Sequence, residues 1–333
     1  SVNNPATVQP FHSSLCMTSG QFHLLKILRW HIHVLIEGDD DQWNDDSPID
    51  LERIDILADN ILIHTRRWSD PDSDPGETSA LFDALSLAGR VKMINSDIRE
   101  AEKVYREGLE LSLKTKFKIN PLDLAELKQN LGACLDQQGR EIESIVYLTG
   151  ALELMERADP VPLESVANLS NNLGLSFRNQ KKFEEAEEHY LRALEVFSKL
   201  GDNELELALV CNNLGTLYWT VDELDAAKEN HEIALEIRTR LLPRKSLDIG
   251  QSASNLAVVL HQGNQISEAE ELYKKAIKII NDSITEDPSL YDAVTKNYAA
   301  LLDSKSEGRG AAKLLETARQ QLENVGCGFS RKD

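Results

Sequence analysis

Five asparagines recur along the chain at nearly fixed intervals: Asn130, Asn172, Asn213, Asn255 and Asn297, at steps of 42, 41, 42 and 42 residues. A carboxamide offers hydrogen-bond donors and an acceptor together. That chemistry suits gripping the backbone of an extended peptide whatever its side chains. Residues one helical turn to either side would then read the sequence. They are Asn168, Asn171, Leu175 and Arg178; then Leu209, Asn212, Thr216 and Trp219; then Gln251, Ser254, Val258 and His261, with Lys296 beside Asn297. Trp219 is the best single anchor, because buried aromatics dominate interface energetics. The same residues have an alternative, structural use. The asparagines would cap or bridge neighbouring helices, and Trp219 would pack between units.

Signatures of bond-making chemistry are missing. Gly308–Lys313 (GRGAAK) lacks the spacing and the Gly-Lys-Ser/Thr ending of a phosphate loop. His231-Glu232 is not followed by the second histidine of a zinc protease, and Gly250-Gln-Ser-Ala-Ser misses the nucleophile elbow at its last residue. His31 and His33 would point about 200° apart on a helix and cannot share a metal. Asp70, Asp72 and Asp74 imitate the opening of a calcium loop, but Gly76 comes one place late and Leu81 stands where the closing glutamate belongs. That stretch reads as a solvated acidic turn, as does Asp39–Asp46. No catalytic residue, cofactor or metal is expected.

The elements that position the asparagines share their period. One register runs through Tyr105, Tyr147, Tyr190, His231, Tyr273 and Leu315, and another three residues later through Gly108, Gly150, Ala193, Ala234, Ala276 and Ala318. Periods of 20–50 residues mean stacked supersecondary units. Apolar spacing makes each unit a helix pair; in the third, Val166–Asn179 and Phe183–Leu200 flank a turn at Gln180–Lys182. Gly89, Gly132, Gly174 and Gly215 recur inside first helices, where each costs roughly 1 kcal/mol against alanine, so their recurrence implies close helix packing. Prolines at 121, 162, 243 and 288 suit first turns. Ahead of the array, Gln21–Ile36 and Ile49–Trp68 read as a degenerate helical pair. The expected organisation is a loose tail over 1–20, a helical cap over 21–78, the array over 79–325 and a tail over 326–333.

These stretches resemble the tetratricopeptide repeat in its long, 42-residue form found in kinesin light chains. The carriers are NNLGLSF with FEEAEEHYLRALEV (171–177, 183–196), NNLGTLY with LDAAKENHEIALEI (212–218, 224–237) and SNLAVVL with ISEAEELYKKAIKI (254–260, 266–279). QNLGACL (129–135) and KNYAALL (296–302) extend the likeness, which covers about three quarters of the chain. The Asp-His-Pro linker and amino-terminal heptads of kinesin light chains are absent, so the likeness is one of repeat type. It implies an all-α, right-handed superhelical solenoid of about six antiparallel helix pairs. It also implies a concave face lined by the first helix of each pair, with Asn130, Asn172, Asn213, Asn255 and Asn297 as a ladder on or beside it. The family's clamp for carboxylate tails needs several cations there, and these helices offer mainly Arg178 and Lys296.

The net charge of −20, from 36 basic against 56 acidic residues, argues against nucleic acid and anionic membranes and favours a neutral or basic partner. No apolar run reaches the roughly 18–20 residues of a membrane span; Leu24–Ile36 is interrupted by Lys26, Arg29, His31 and His33. Cys16, Cys134, Cys211 and Cys327 are too few and scattered for a disulfide framework, which fits a reducing, cytoplasmic setting. The expected function is a non-catalytic adaptor holding a peptide or protein segment in the concave groove. A second reading is the sensor arm of a larger, nucleotide-switch signalling protein. Apolar surface at the ends of an array also makes self-association plausible.

Overall fold

The structure, a computed structural model, describes residues 51–68 and 74–325. The tail before Gln21, the helix expected over Gln21–Ile36, Asp39–Asp46, Asp70, Asp72, Cys16, Cys327 and the tail from 326 lie outside the described residues. Within them all regular structure is helical: α1 Leu51–Trp68, α2 Pro75–Ile94, α3 Ile98–Lys114, α4 Pro121–Gln137, α5 Glu141–Glu156, α6 Leu163–Asn179, α7 Phe183–Leu200, α8 Glu204–Thr220, α9 Leu224–Leu241, α10 Leu247–Gln262, α11 Ile266–Asp282, α12 Pro288–Ser304 and α13 Gly308–Asn324. The chain divides into two compact units between Val161 and Pro162, and within each unit every helix packs on the next.

In the first unit α1 is pinned to α2 by Ala58 and Leu62, which pack against α2, and by Lys92, whose Nζ donates to Asp55 at 2.7 Å and Asp59 at 2.9 Å. Asp74 caps α2: its Oδ1 accepts from the Gly76 and Glu77 amides, and Pro75 takes the first helical position. This satisfies donors that a helix start leaves orphaned. Between α3 and α5, Glu102 accepts from Gln138 (2.8 Å), Arg106 (2.7 Å) and Arg140 (2.7 Å). Burial alone would push its carboxyl up, but these donors hold it down at about 2.

The interiors of the four pairs from α2–α3 to α8–α9 follow one rule. A first-helix glycine leaves room for a large side chain from the second helix. A Cβ added to Gly174 would stand 2.6 Å from the Tyr190 ring, closer than packed atoms approach. Ala186, Tyr190, Ala193 and Phe197 form the buried stripe of α7, and Ala269, Tyr273, Ala276 and Ile280 that of α11. The sequence register slips in α5. Its buried stripe is Ser144, Leu148, Ala151 and Met155, each 42 residues before its α7 counterpart, so Leu148 and Ala151, not Tyr147 and Gly150, occupy the columns. Leu148 fills the space over Gly132, while Tyr147 is half-buried and its hydroxyl accepts from Arg106 at 3.2 Å. The one-residue shift turns Ile142 and Val146 out to solvent, 76% and 65% exposed.

The turns repeat as faithfully as the helices. Ser96, Gly139, Lys181, Asp222, Asn264 and Ser306 all adopt positive φ, between 60° and 72°. In every case the next residue's N–H reaches back five residues, as Lys182 to the Phe177 carbonyl at 3.0 Å and Glu223 to Tyr218 at 2.9 Å. This is the Schellman closure, which satisfies carbonyls at a helix end and fixes the reversal. Only one of the six is glycine, so the turns were invisible to a search for glycine punctuation.

Candidate peptide-binding face

From Pro162 onward the first helices lie side by side: α6 touches α8, α8 touches α10, and α10 touches α12. Because their repeats are in register, each contributes side chains at matching levels. At the first turn stand Glu164, Glu206 and Asp248, spaced by 42 residues. Below come Asn168, Leu209 and Gln251, then Asn172, Asn213 and Asn255, then Leu175, Thr216 and Val258. The last turn carries Arg178, Trp219 and His261. Together α6, α8, α10 and α12 hold six carboxylates against two cations, Arg178 and Lys296.

The asparagines do not behave alike. Asn213 donates through Nδ2 to Asn171 Oδ1 at 2.9 Å, and Asn255 donates in the same way to Asn212 Oδ1 at 2.9 Å. Asn171 and Asn212 are buried, 5% and 6% exposed. These carboxamides therefore stitch α6 to α8 and α8 to α10. Asn172 and Asn297 are exposed, and Asn168 is half-buried. Asn130, in the unit ending at Val161, is half-buried with Nδ2 enclosed and without a hydrogen-bond partner among the described residues. Ladder positions after Pro162 thus divide between bridges (Asn213, Asn255) and open amides (Asn172, Asn297).

Other residues singled out on sequence grounds also fall on this side. Thr216 donates to the Asn212 carbonyl at 2.9 Å and is half-buried, as are Arg178 and His261. Lys296 is exposed and paired with Asp292 at 2.5 Å one turn earlier. On α8 an apolar line stays open to solvent: Leu205 is 40% exposed, Leu209 42% and Trp219 39%. Leu205 follows the helical spacing of that line and recurs as Leu163 and Leu247 in the neighbouring first helices, a register that the asparagine markers do not include. Trp219 is held at its edge, its Nε1–H donating to Gln262 Oε1 at 2.7 Å; Gln262 Nε2 donates in turn to Asp222 Oδ1 at 2.9 Å. Neither Gln262 nor Asp222 was expected. One lies beside His261 and the other in a turn, and only the fold brings them to Trp219.

The described residues contain no group of three or more His, Cys, Asp and Glu side chains placed to hold a metal ion. None of their helices is long and apolar enough to cross a membrane.

Comparison with known proteins agrees with this architecture. The sequence profile described as tetratricopeptide repeat matches residues 165–240 and 206–282. No curated protein matches the chain. Among solved structures, BtubC (BKLC) from P. vanneervenii is 30% identical, with 70% of this chain and 91% of that one covered and a TM-score of 0.58. The apo form of RapI shares 14% identity over 73% of this chain and 99% of that chain, at a TM-score of 0.57. The apo form of the quorum sensor NprR from B. thuringiensis shares 12% over 91% and 87%, at 0.58. The last two likenesses speak for the fold alone. With a 42-residue period, six Schellman-closed helix pairs and this identity to BtubC, the chain belongs to the tetratricopeptide repeat family.

Proposed function

We propose that this protein is a non-catalytic adaptor that holds an extended peptide or protein segment against the first-helix face of the unit from Pro162. The observation carrying this reading is the open line of Leu205, Leu209 and Trp219 on α8, which neither α7 nor α9 covers. Three large apolar side chains left about 40% exposed on one helix face, with Asn213 and Thr216 between them, offer anchors that a bound segment would cover. Exposed Asn172 and half-buried Asn168 beside that line supply backbone-directed amides, and the surplus of carboxylates favours a neutral or basic segment. Asn213 and Asn255 support the face from behind by joining its helices. A cytoplasmic setting agrees with the buried free thiols Cys134 and Cys211. Self-association through the array ends is a second mode of contact in this reading; a strict monomer by light scattering at high concentration removes it.

The test is capture of an arrayed library of extended peptides by purified protein. Leu209→Asp should abolish capture of the peptides that wild type selects, by tenfold or more on the scale of a lost interface anchor of about 1.4 kcal/mol. Ile142→Asp, at an exposed position of the other unit, should leave capture unchanged. Equal capture by wild type and Leu209→Asp would sink the groove reading.

A further inference from the structure

We propose that Trp219, Gln262 and Asp222 form a receptor for one cationic side chain, an arginine or lysine of the bound segment. This deepens the groove reading and rests on it, because that face is where a segment would present the cation. The geometry is that of a prepared site. Trp219 shows an accessible ring, and the hydrogen bond from its Nε1–H to Gln262 fixes how the ring is turned. The same amide passes its own N–H to Asp222 Oδ1, at 2.9 Å. With 2.7 and 2.9 Å bonds at the two ends of one amide, the carboxylate oxygen lies within about 8 Å of the indole nitrogen. A cation over the ring face meets its negative quadrupole and a full carboxylate charge at once. Arginine fits best, since it stacks on an aromatic face while its fork donates to an acceptor.

Contrast with the preceding repeat shows that the chain leaves the cation out. There the turn carries Lys181 and Lys182, and the Lys182 ammonium stands 5.7 Å from the Phe177 ring centre. In Trp219's repeat the same two places hold Asp222 and Glu223. Charge is inverted at the turn, Phe177 is matched by Tyr218, Trp219 stands where that repeat has Arg178, and α8 and α10 contain neither lysine nor arginine. Asp222 Oδ1 takes the Gln262 donor, and Oδ2 has no hydrogen-bond donor among the described residues. Asp222 also sits in the fixed left-handed turn, φ 66°, so its backbone is not free to swing away. A site whose parts are locked before binding loses little freedom on capturing its ligand.

The experiment follows the indole N–H resonances of the full chain during titration with N-acetyl-arginine methylamide. The leucine and glutamate methylamides serve as controls at equal ionic strength, and Trp219→Phe assigns the Trp219 signal. The expected result is a saturable movement of that signal with the arginine compound and none with the other two. Asp222→Asn keeps an acceptor for Gln262 but removes the charge, and should weaken the arginine response by roughly threefold or more. No movement with arginine, an equal movement with leucine, or an unweakened response in Asp222→Asn overturns the proposal. Peptide capture and its loss in Leu209→Asp report separately on the groove, so failure here is distinguishable from failure there.

Discussion

Helices α7 and α9 are second helices of adjacent repeats and bury the same four places, yet they bury different chemistry. In α7 the stripe is Ala186, Tyr190, Ala193 and Phe197; in α9 it is Ala227, His231, Ala234 and Arg238. Both rings lie over a glycine of their first helix, Tyr190 over Gly174 and His231 over Gly215. Phe197 joins an apolar cluster with Val210, Leu214 and Leu217 of α8. Arg238 instead donates to the Asp248 carbonyl at 3.2 Å and the Ser252 hydroxyl at 2.9 Å on α10. His231 is 2% exposed, and its Nδ1 has no hydrogen-bond partner among the described residues. The period dictates which positions are buried and how much space they have. It does not dictate what fills them, and the seam from α9 to α10 is the polar exception in an apolar stack.

The largest difference should come from removing the rings. Tyr190→Ala empties a fully enclosed space and should cost about 3–5 kcal/mol in chemical denaturation. His231→Ala removes less apolar volume and an unpartnered polar atom, so its cost should be clearly smaller. Equal costs would mean that the column contributes only bulk.

Acid should separate the two seams next. Burial, with Arg238 nearby, pushes the His231 pKa down to about 4 from its ordinary 6.5. The folded state therefore refuses a proton that the unfolded chain accepts. Stability is intact above about pH 6.5 and falls as pH drops from there toward 4, by about 3 kcal/mol if the whole shift is expressed. His231→Tyr, which restores the residue type found over Gly174, should flatten that decline. Glu102 and Glu270 act in a lower window. Donors hold both carboxyls down at about 2, so their contribution is lost only as pH falls below the ordinary carboxylate range near 4.5. An unchanged slope between pH 6.5 and 4.5 in His231→Tyr would refute the assignment to this histidine.

Much of this molecule was legible in its sequence because the repeat is enforced by packing. A small residue that must admit a large side chain, and alanines that must admit a helix, leave a mark every 42 residues. Phe183–Leu200 was therefore placed to the residue, and Asn179 was correctly read as the end of α6. Legibility failed where packing tolerates substitutes. Leu148 replaces a tyrosine in α5, and the half-buried Tyr147 beside it drew the register off by one. At the site, the positions of Asn213 and Asn255 were readable but not their engagement, because a partner one repeat away is set by helix spacing. The chain from Trp219 through Gln262 to Asp222 joins two repeats through a turn, and no local pattern announces it.

The asparagine positions repeat the lesson of α7 and α9 on a smaller scale. Asn213→Ala removes the donor to the buried Asn171 oxygen and should cost about 1–3 kcal/mol. Asn172→Ala, at the equivalent but exposed place, should change stability by no more than about 0.5 kcal/mol. Similar losses at both would show that the two amides are equally engaged.

The smallest effect concerns the turns, where geometry is constant and residue type is not. Lys181 and Gly139 hold equivalent turn places with φ of 60° and 72°. A lysine in this left-handed conformation pays roughly 1–2 kcal/mol that glycine does not, while glycine leaves a more flexible unfolded chain that recovers part of the difference. Lys181→Gly should therefore raise stability by a few tenths to about 1 kcal/mol. Gly139→Lys should lower it by a similar amount, and the cause would be conformational alone, because a Cβ at Gly139 meets no atom within 4 Å. Opposite signs of comparable size in thermal melts would show that the turn conformation is held by its hydrogen bonds whichever residue occupies it. Equal signs would mean that side-chain contacts outweigh backbone conformation at these turns, and that the six closures are alike in shape only.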